Sequence, residues 1–331
     1  MKNFNWKNKN VLITGIHGFV GSNLAKSLIK NGANIYGIHK FNSNNSLLKI
    51  EKLNSFNSIQ VNDSKTDNLN LISDLFYDKE IEICFHLAAQ VEVSKAHDKP
   101  YETLSNNINL TLNLLEAARK SSFIKSFILC STDKVYGEID KKKLPYKEFY
   151  HPNPLYPYEI SKYSCELIAK SYFHTYNVPT ITTRTSNIYG PGQLNFSALI
   201  PDVIGSIKKN YEFIPRSNGM QERDYLYIDD WVYYLKKLVE QSYSKKIFGK
   251  LYNFGNGEPF TTYKIIKEIH RIMKSKNFPI IEKKFQKYKK NNEINFQSMD
   301  MTKAKKIILQ KKTSLNKGLN QTIKWYEKYI F

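Results

Sequence analysis

Tyr158 and Lys162 stand one helical turn apart in the run Tyr156-Pro157-Tyr158-Glu159-Ile160-Ser161-Lys162, a spacing that puts a phenol and an ammonium on one face. A free tyrosine has a pKa of about 10, too high for a base at neutral pH. A neighbouring cation favours the phenolate, so the pair can take a proton from an alcohol. Thr132 or Ser131, at the end of an apolar run, completes the proton relay. Far upstream, Val11-Leu12-Ile13 leads into Thr14-Gly15-Ile16-His17-Gly18-Phe19-Val20-Gly21. The first glycine permits a tight turn, the second lets a pyrophosphate approach the backbone, and the third lets the helix pack closely. His17, Phe19 and Val20 belong to the same cradle, where a helix start offers N–H groups to phosphate. Phosphate cradle and proton-moving phenol together read as hydride transfer with a nicotinamide dinucleotide.

The second expected strand ends Tyr36-Gly37-Ile38-His39-Lys40, without the carboxylate that usually holds the ribose of NAD. His39 and Lys40 suit a 2′-phosphate instead, so the reading is NADP or NAD with a slight lean to NADP. Asp63 is placed to accept from the adenine amino group. Leu87-Ala88-Ala89 offers small residues for a backbone passing under the nicotinamide ribose.

These residues need a scaffold, and the first half of the chain supplies the pattern for one. Short apolar runs at Asn10–Thr14, Asn34–Ile38, Ile59–Val61, Glu82–His86, Ser126–Cys130 and Thr180–Thr183 alternate with amphipathic stretches. Those stretches are Phe19–Lys30, Asn68–Tyr77, Thr103–Lys120 and Tyr158–Tyr176. Such alternation predicts an α/β fold, a doubly wound parallel (Rossmann) sheet binding ligands at the carboxyl ends of its strands. Beyond Gly190-Pro191-Gly192 the pattern loosens into helices at Ala198–Lys209, Ile228–Glu240, Tyr263–Lys274 and Leu315–Tyr329. The division expected is residues 1–190 as the dinucleotide-binding domain and 191–331 as mainly a smaller C-terminal substrate-binding lobe, with chain crossovers allowed. The polar, lysine-rich segment Lys283–Asn295 reads as a mobile surface loop.

Across 331 residues, 41% are apolar and 24% charged, as in an ordinary globular protein. No apolar run approaches the length of a membrane span, and the N-terminus lacks a signal-peptide core, so the expected location is cytoplasmic. Cys84, Cys130 and Cys165 lack metal-site spacing; each reads as apolar filler, with no metal and no disulfide framework. The net charge of +20 raises the question of nucleic acid. Lysines are spread along the chain with no nucleic-acid motif, which favours solvated faces, and their field would also draw an anionic small substrate.

Taken together, these motifs resemble the extended short-chain dehydrogenase/reductase family, specifically its nucleotide-sugar 4,6-dehydratases and epimerases. The resemblance spans nearly the whole chain, through His86-Leu87-Ala88-Ala89-Gln90, Asn107, Ser131–Gly137, Pro157–Lys162, Asn187–Gly192, Arg223–Asp230 and Tyr252–Gly255. The pair Asp133-Lys134 is similar to that of CDP-glucose 4,6-dehydratases. The resemblance implies that Tyr158 deprotonates the sugar C4 hydroxyl and Asp133 protonates the departing C6 hydroxyl. Lys134 would assist removal of the C5 proton or hold Asp133 in place. It further implies cofactor contact by Asn107, and sugar, base or phosphate contacts by Gln90, Asn187, Leu199, Ile200, Arg216, Arg223 and Asn253. Arg184, at a strand end, is expected to satisfy a carboxylate. A nucleotide-diphosphate sugar is the expected partner, without nucleic acid or membrane. A homodimer through a four-helix interface, from helices near Tyr101–Lys120 and Tyr158–Tyr176, is also implied. The sequence departs from the family's usual pattern at Lys289–Glu293 and at Leu309–Lys312, which leaves the nucleotide open. Other readings are a C2 or C4 epimerase, or a C4 oxidase or reductase, on the same scaffold. A dinucleotide- or RNA-binding regulator is the non-enzymatic one.

Overall fold

The computed structural model describes residues 4–39, 45–60, 67–91, 93–215, 217–244, 246–285 and 295–331. Its strands are β1 (Asn10–Thr14), β2 (Asn34–His39), β3 (Asn57–Gln60), β4 (Ile83–His86) and β5 (Ser126–Thr132), followed by β6 (Thr180–Thr185), β7 (Asn187–Tyr189), β8 (Glu222–Tyr227), β9 (Leu251–Phe254) and β10 (Pro259–Thr261). Seven of them form one parallel sheet in the order β3-β2-β1-β4-β5-β6-β9. The chain runs outward from β1 to β3 and returns to β4 beside β1, so a crevice opens between the carboxyl ends of β1 and β4.

The central strands are apolar on both faces because both faces are covered. Val11 and Ile13 share one core with Leu24, Leu28, Trp231 and Leu235, from helices Phe19–Lys30 and Ile228–Ser242. Leu12, Phe127 and Leu129 point the other way, into a core with Phe76, Leu115 and Ala169. That face is covered by helices Asp67–Asp78, Pro100–Lys120 and Pro157–Tyr176.

The structure lengthens the strands that matter most. The fifth and sixth were expected to end at Cys130 and Thr183, but pairing of Ser131 with Arg184 and Thr132 with Thr185 carries both further. Polar residues at a strand end carry no apolar signal; the ladder alone reveals them. A seventh strand, β9, was not among those expected. It comes from the second half of the chain and pairs with β6, whereas β7 pairs with β8 in a separate sheet of order β10-β8-β7. The chain therefore crosses the position-190 boundary in both directions. Phe278–Phe285 is helical, which takes in the start of the segment expected to be a loop; residues 286–294 lie outside the described residues. Among the described residues, no helix is long and apolar enough to cross a membrane.

Candidate active site

The glycine turn meets the β4 end closely. Gly15 has φ +71°, and a Cβ there would lie 3.2 Å from Ala88 Cα, so a side chain would both strain the turn and push the two loops apart. A Cβ on Gly21 would come within 2.2 Å of the Gly15 carbonyl oxygen, which makes glycine obligatory where the helix folds back on the turn. Helix Phe19–Lys30 then begins without a side-chain cap. Its first N–H groups are left to the cleft that Gly18, Phe19 and Val20 line. This cradle fits a dinucleotide pyrophosphate. The cleft has a volume of about 780 Å³ and runs on past Leu87, Ala88 and Ala89 to Tyr158 and Lys162.

Tyr158 and Lys162 are aligned by how their helix starts. Pro157 occupies the first turn, and Glu159 folds back to accept from the backbone N–H of Leu155 at 2.9 Å and of Tyr156 at 3.3 Å. Opposite them, β5 ends in Thr132, whose hydroxyl accepts from Lys134 N at 3.3 Å and opens a short 3₁₀ turn, Asp133–Tyr136. The same hydroxyl donates to Asp133 Oδ1 at 3.1 Å and is hydrogen-bonded to Tyr158. Burial pushes that phenol above its ordinary value and the Asp133 charge adds to the rise; the Thr132 bond opposes them. The expectation that a nearby cation would set the tyrosine's acidity is corrected here: with protein groups alone, burial and a carboxylate dominate and hold it protonated.

Asp133 is 1% exposed, and its Oδ2 has no protein partner. Lys134 reaches Asp133 Oδ1 at 3.6 Å and donates to Asn187 Oδ1 at 3.4 Å. The 3₁₀ turn is fixed from beneath: Tyr136 stacks on Tyr146 at 4.7 Å and its hydroxyl donates to Asn253 Oδ1 at 2.8 Å. Ser131, Thr185 and Ser186 line the cleft with buried hydroxyls that lack a protein partner. Orphaned polar atoms are costly, and a polar ligand would satisfy them.

Not every expected contact reaches the cleft. Asn253 is fully buried, and its side chain is spent on Tyr136 and on the Tyr146 carbonyl, so its substrate role is corrected to a structural one. Asn107 is likewise corrected from cofactor contact to support: it accepts from Gln90 N at 2.8 Å and donates to Ser161 Oγ at 2.9 Å. Gln90, His17, His39, Gly21 and Asp133 do not line the cleft, although Thr132 and Lys134 on either side of Asp133 do. Lys40, Asp63 and Arg216 lie outside the described residues. Asn187, Leu199, Ile200, Lys134 and Arg223 do line it, and Arg184 meets Glu166 as expected, at 2.7 Å. Thr185 and Ser186 were missed because the sixth strand was ended too early. Among the described residues, no group of histidines, cysteines and carboxylates is placed to hold a metal.

A doubly wound sheet, a glycine cradle at its switch point and a Tyr–Lys pair beside Thr132 define an extended short-chain dehydrogenase/reductase. Residues 12–322 match the family model described as GDP-mannose 4,6 dehydratase, and the chain belongs to that family of nucleotide-sugar 4,6-dehydratases. It is 29% identical to Protein CapI of Staphylococcus aureus, covering 96% of this chain and 98% of that protein. It is 30% identical to a trifunctional UDP-glucose 4,6-dehydratase/UDP-4-keto-6-deoxy-D-glucose 3,5-epimerase/UDP-4-keto-L-rhamnose-reductase of Arabidopsis thaliana, over 97% of this chain. The chain spans about half of that relative's length, 48%. Among solved structures, UDP-glucose 4-epimerase of Thermotoga maritima, with UDP-glucose, superposes with a TM-score of 0.84 at 28% identity, covering 97% and 100% of the two chains. UDP-glucuronic acid 4-epimerase of Bacillus cereus, with UDP-glucuronic acid and NAD, gives 0.81 at 27%, covering 96% and 99%.

Proposed function

We propose that this chain converts a nucleotide-diphosphate sugar to its 4-keto-6-deoxy derivative. The observation that carries the reading is Asp133, a buried acid with one oxygen unpartnered, tied through Thr132 to Tyr158. A 4-epimerase removes and returns hydrogen at C4 alone and has no use for an acid beside C6. A nicotinamide dinucleotide bound along the glycine turn supplies the hydride acceptor for C4, the hydride returned to C6 and, when oxidised, a positive charge near the phenol. Tyr158 takes the C4 hydroxyl proton as the ketone forms, and Lys162 holds the ribose on the same helix face. The ketone acidifies C5–H, and Lys134 either assists its removal or, as an ammonium, keeps Asp133 in place. Asp133, protonated through Thr132 by the proton that Tyr158 took from the C4 hydroxyl, passes it to the C6 oxygen as the C6–O bond breaks, releasing water. The proton removed from C5 would return to it as C6 is reduced, so the cofactor would undergo no net change. Asn187 and Arg223 hold the sugar and its diphosphate, with Leu199 and Ile200 packed near the base.

The cofactor in this reading is NAD. Burial and the Lys49 charge lower the pKa of His39; burial first, then His39 and Lys49, lower that of His17 to about 4. A neutral His39 gives a 2′-phosphate no opposing charge, which takes away its part in the lean to NADP, and the NAD bound in the Bacillus cereus structure supports the same choice. The exposed apolar residues Leu112, Ile160 and Leu167, on helices Pro100–Lys120 and Pro157–Tyr176, support a homodimer. Leu167→Glu should halve the mass measured by light scattering.

The test is incubation with UDP-, dTDP-, CDP- and GDP-glucose and GDP-mannose. A product lighter by one water, bearing a ketone, with no net change in nicotinamide redox state, is the expected result. A C4 epimer of unchanged mass from any of them, with no ketone formed, would replace the reading with the epimerase.

A further inference from the structure

The buried imidazole of His86 has no part in the chemistry above, yet every polar atom around it is spoken for. Thr14 Oγ1 accepts from Leu87 N at 3.0 Å and from Ala88 N at 2.9 Å. Both of its lone pairs are then occupied, so its proton must point elsewhere. The remaining neighbour is His86 Nδ1, at 2.9 Å. That nitrogen must accept, which places the ring proton on Nε2. Nε2 lies 2.9 Å from Thr111 Oγ1 and donates to it. Thr111 in turn donates to the Asn107 carbonyl at 2.8 Å. The Asn107 side chain accepts from Gln90 N and donates to Ser161 Oγ, which donates to the Tyr158 carbonyl at 2.7 Å.

We propose that His86 is a positioning residue. Held as its neutral Nε2–H tautomer, it sets the direction of the bonds running from Thr14 to the Asn107 carbonyl, and so places Asn107, whose side-chain bonds to Gln90 N and Ser161 join the cofactor loop 87–90 to the helix carrying Tyr158 and Lys162. Thr14, His86, Thr111, Asn107 and Ser161 come from β1, β4 and the two helices Pro100–Lys120 and Pro157–Tyr176, so the bonds link the strands that carry the cofactor loops to the helix that carries Tyr158 and Lys162. His86 is 1% exposed. Burial first, and the Lys162 charge second, hold its pKa well below the usual range, so the ring stays neutral as these bonds require. A protonated ring would aim a donor at Thr14 and leave its hydroxyl competing with two N–H groups for the same lone pairs. The bonds predict a division of labour: their Thr14 end shapes the loop under the cofactor, and their Thr111 end sets the catalytic helix.

The experiment has two arms. In the first, NMR of the wild-type protein with isotope-labelled histidine should show His86 as a single neutral Nε2–H tautomer. An Nδ1–H tautomer or an imidazolium at neutral pH would overturn the proposal without any mutation. In the second, Thr111→Val should lower kcat about tenfold while leaving the cofactor Kd within about threefold, and Thr14→Val should raise that Kd about tenfold. Thr111→Ser and Thr14→Ser should restore each parameter, which a general loss of packing would not produce. Val variants that fold and keep both parameters within about twofold of wild type would overturn it. The kcat readout rests on the dehydratase reading; the tautomer and the cofactor Kd do not, so a failure of that reading is seen separately as absent wild-type turnover.

Discussion

The Thr132 hydroxyl donates to Asp133 Oδ1 at 3.1 Å, and the second Asp133 oxygen is left buried without a protein partner. One oxygen is thereby fixed; the other is buried on the residue between the cleft-lining Thr132 and Lys134, and is the one proposed to meet a substrate hydroxyl. Asp133→Asn keeps the size and the Thr132 bond but removes the transferable proton. Elimination should fall by about 10²–10⁴-fold, the usual worth of a positioned acid, while C4 oxidation survives. Reduced nicotinamide should then accumulate on the enzyme after substrate is added, visible by its absorbance. Lys134→Ala should stop both elimination and exchange of the C5 hydrogen with deuterated water; exchange at the wild-type rate would show that Lys134 serves only to hold Asp133.

Tyr158→Phe retains the buried ring and deletes the proton acceptor. Turnover should drop by about 10²–10⁴-fold, with cofactor affinity little changed in a binding titration. Because burial and Asp133 raise the phenol's pKa, the base form becomes more populated as pH rises, and wild-type kcat/KM should climb on the alkaline side. The residual rate of the Phe variant should be flat over that range. A climbing profile in the variant would assign the base to another group.

The sheet and its glycine turn were legible because they rest on local signals: apolar runs of strand length, and glycines at positions that a Cβ would obstruct. Tyr158 and Lys162 were legible because i, i+4 spacing survives any tertiary context. What stayed hidden depends on non-local pairing. Thr185 and Ser186 are polar and join the site only because β6 runs on beside β5. Asn253 sits in a motif that the family resemblance ties to substrate, yet its partner Tyr136 lies 117 residues away in sequence. No spacing rule announces that bond. His86 looked like part of a strand end, and its role emerged only once Thr14 and Thr111 were brought to either side of it.

Arg184 and Glu166 form a buried pair, 3% and 8% exposed at the side chain, with the guanidinium 4.4 Å over the Tyr136 ring. They tie β6 and the catalytic helix to the turn that carries Asp133. Glu166→Gln would leave a buried cation without its counter-charge, which costs about 3–5 kcal/mol. Urea unfolding should show that loss as a lower midpoint with an unchanged slope. A loss below about 1 kcal/mol, the scale of a surface pair, would mean that water reaches the guanidinium.

Asp224 is fully buried and accepts from three backbone groups: Asn256 N at 2.7 Å, Gly257 N at 3.0 Å and Met299 N at 3.1 Å. Burial pushes its pKa up from 3.8 to about 6, against the three N–H bonds, with the Asp133 charge adding to the rise. The folded state therefore binds a proton more tightly than the unfolded chain. Its contribution is fully present below pH 3.8 and is lost as pH climbs through about 6; the full swing is about 3 kcal/mol. Asp224→Asn cannot ionise and has one acceptor oxygen for three donors, at a cost of about 1–3 kcal/mol. Wild type should exceed the variant in stability by most at low pH, and the gap should narrow from pH 4 to pH 7 in urea melts. A gap that is constant or widens with pH would mean that the carboxylate, held by its three N–H donors, ionises in the folded protein as readily as in water.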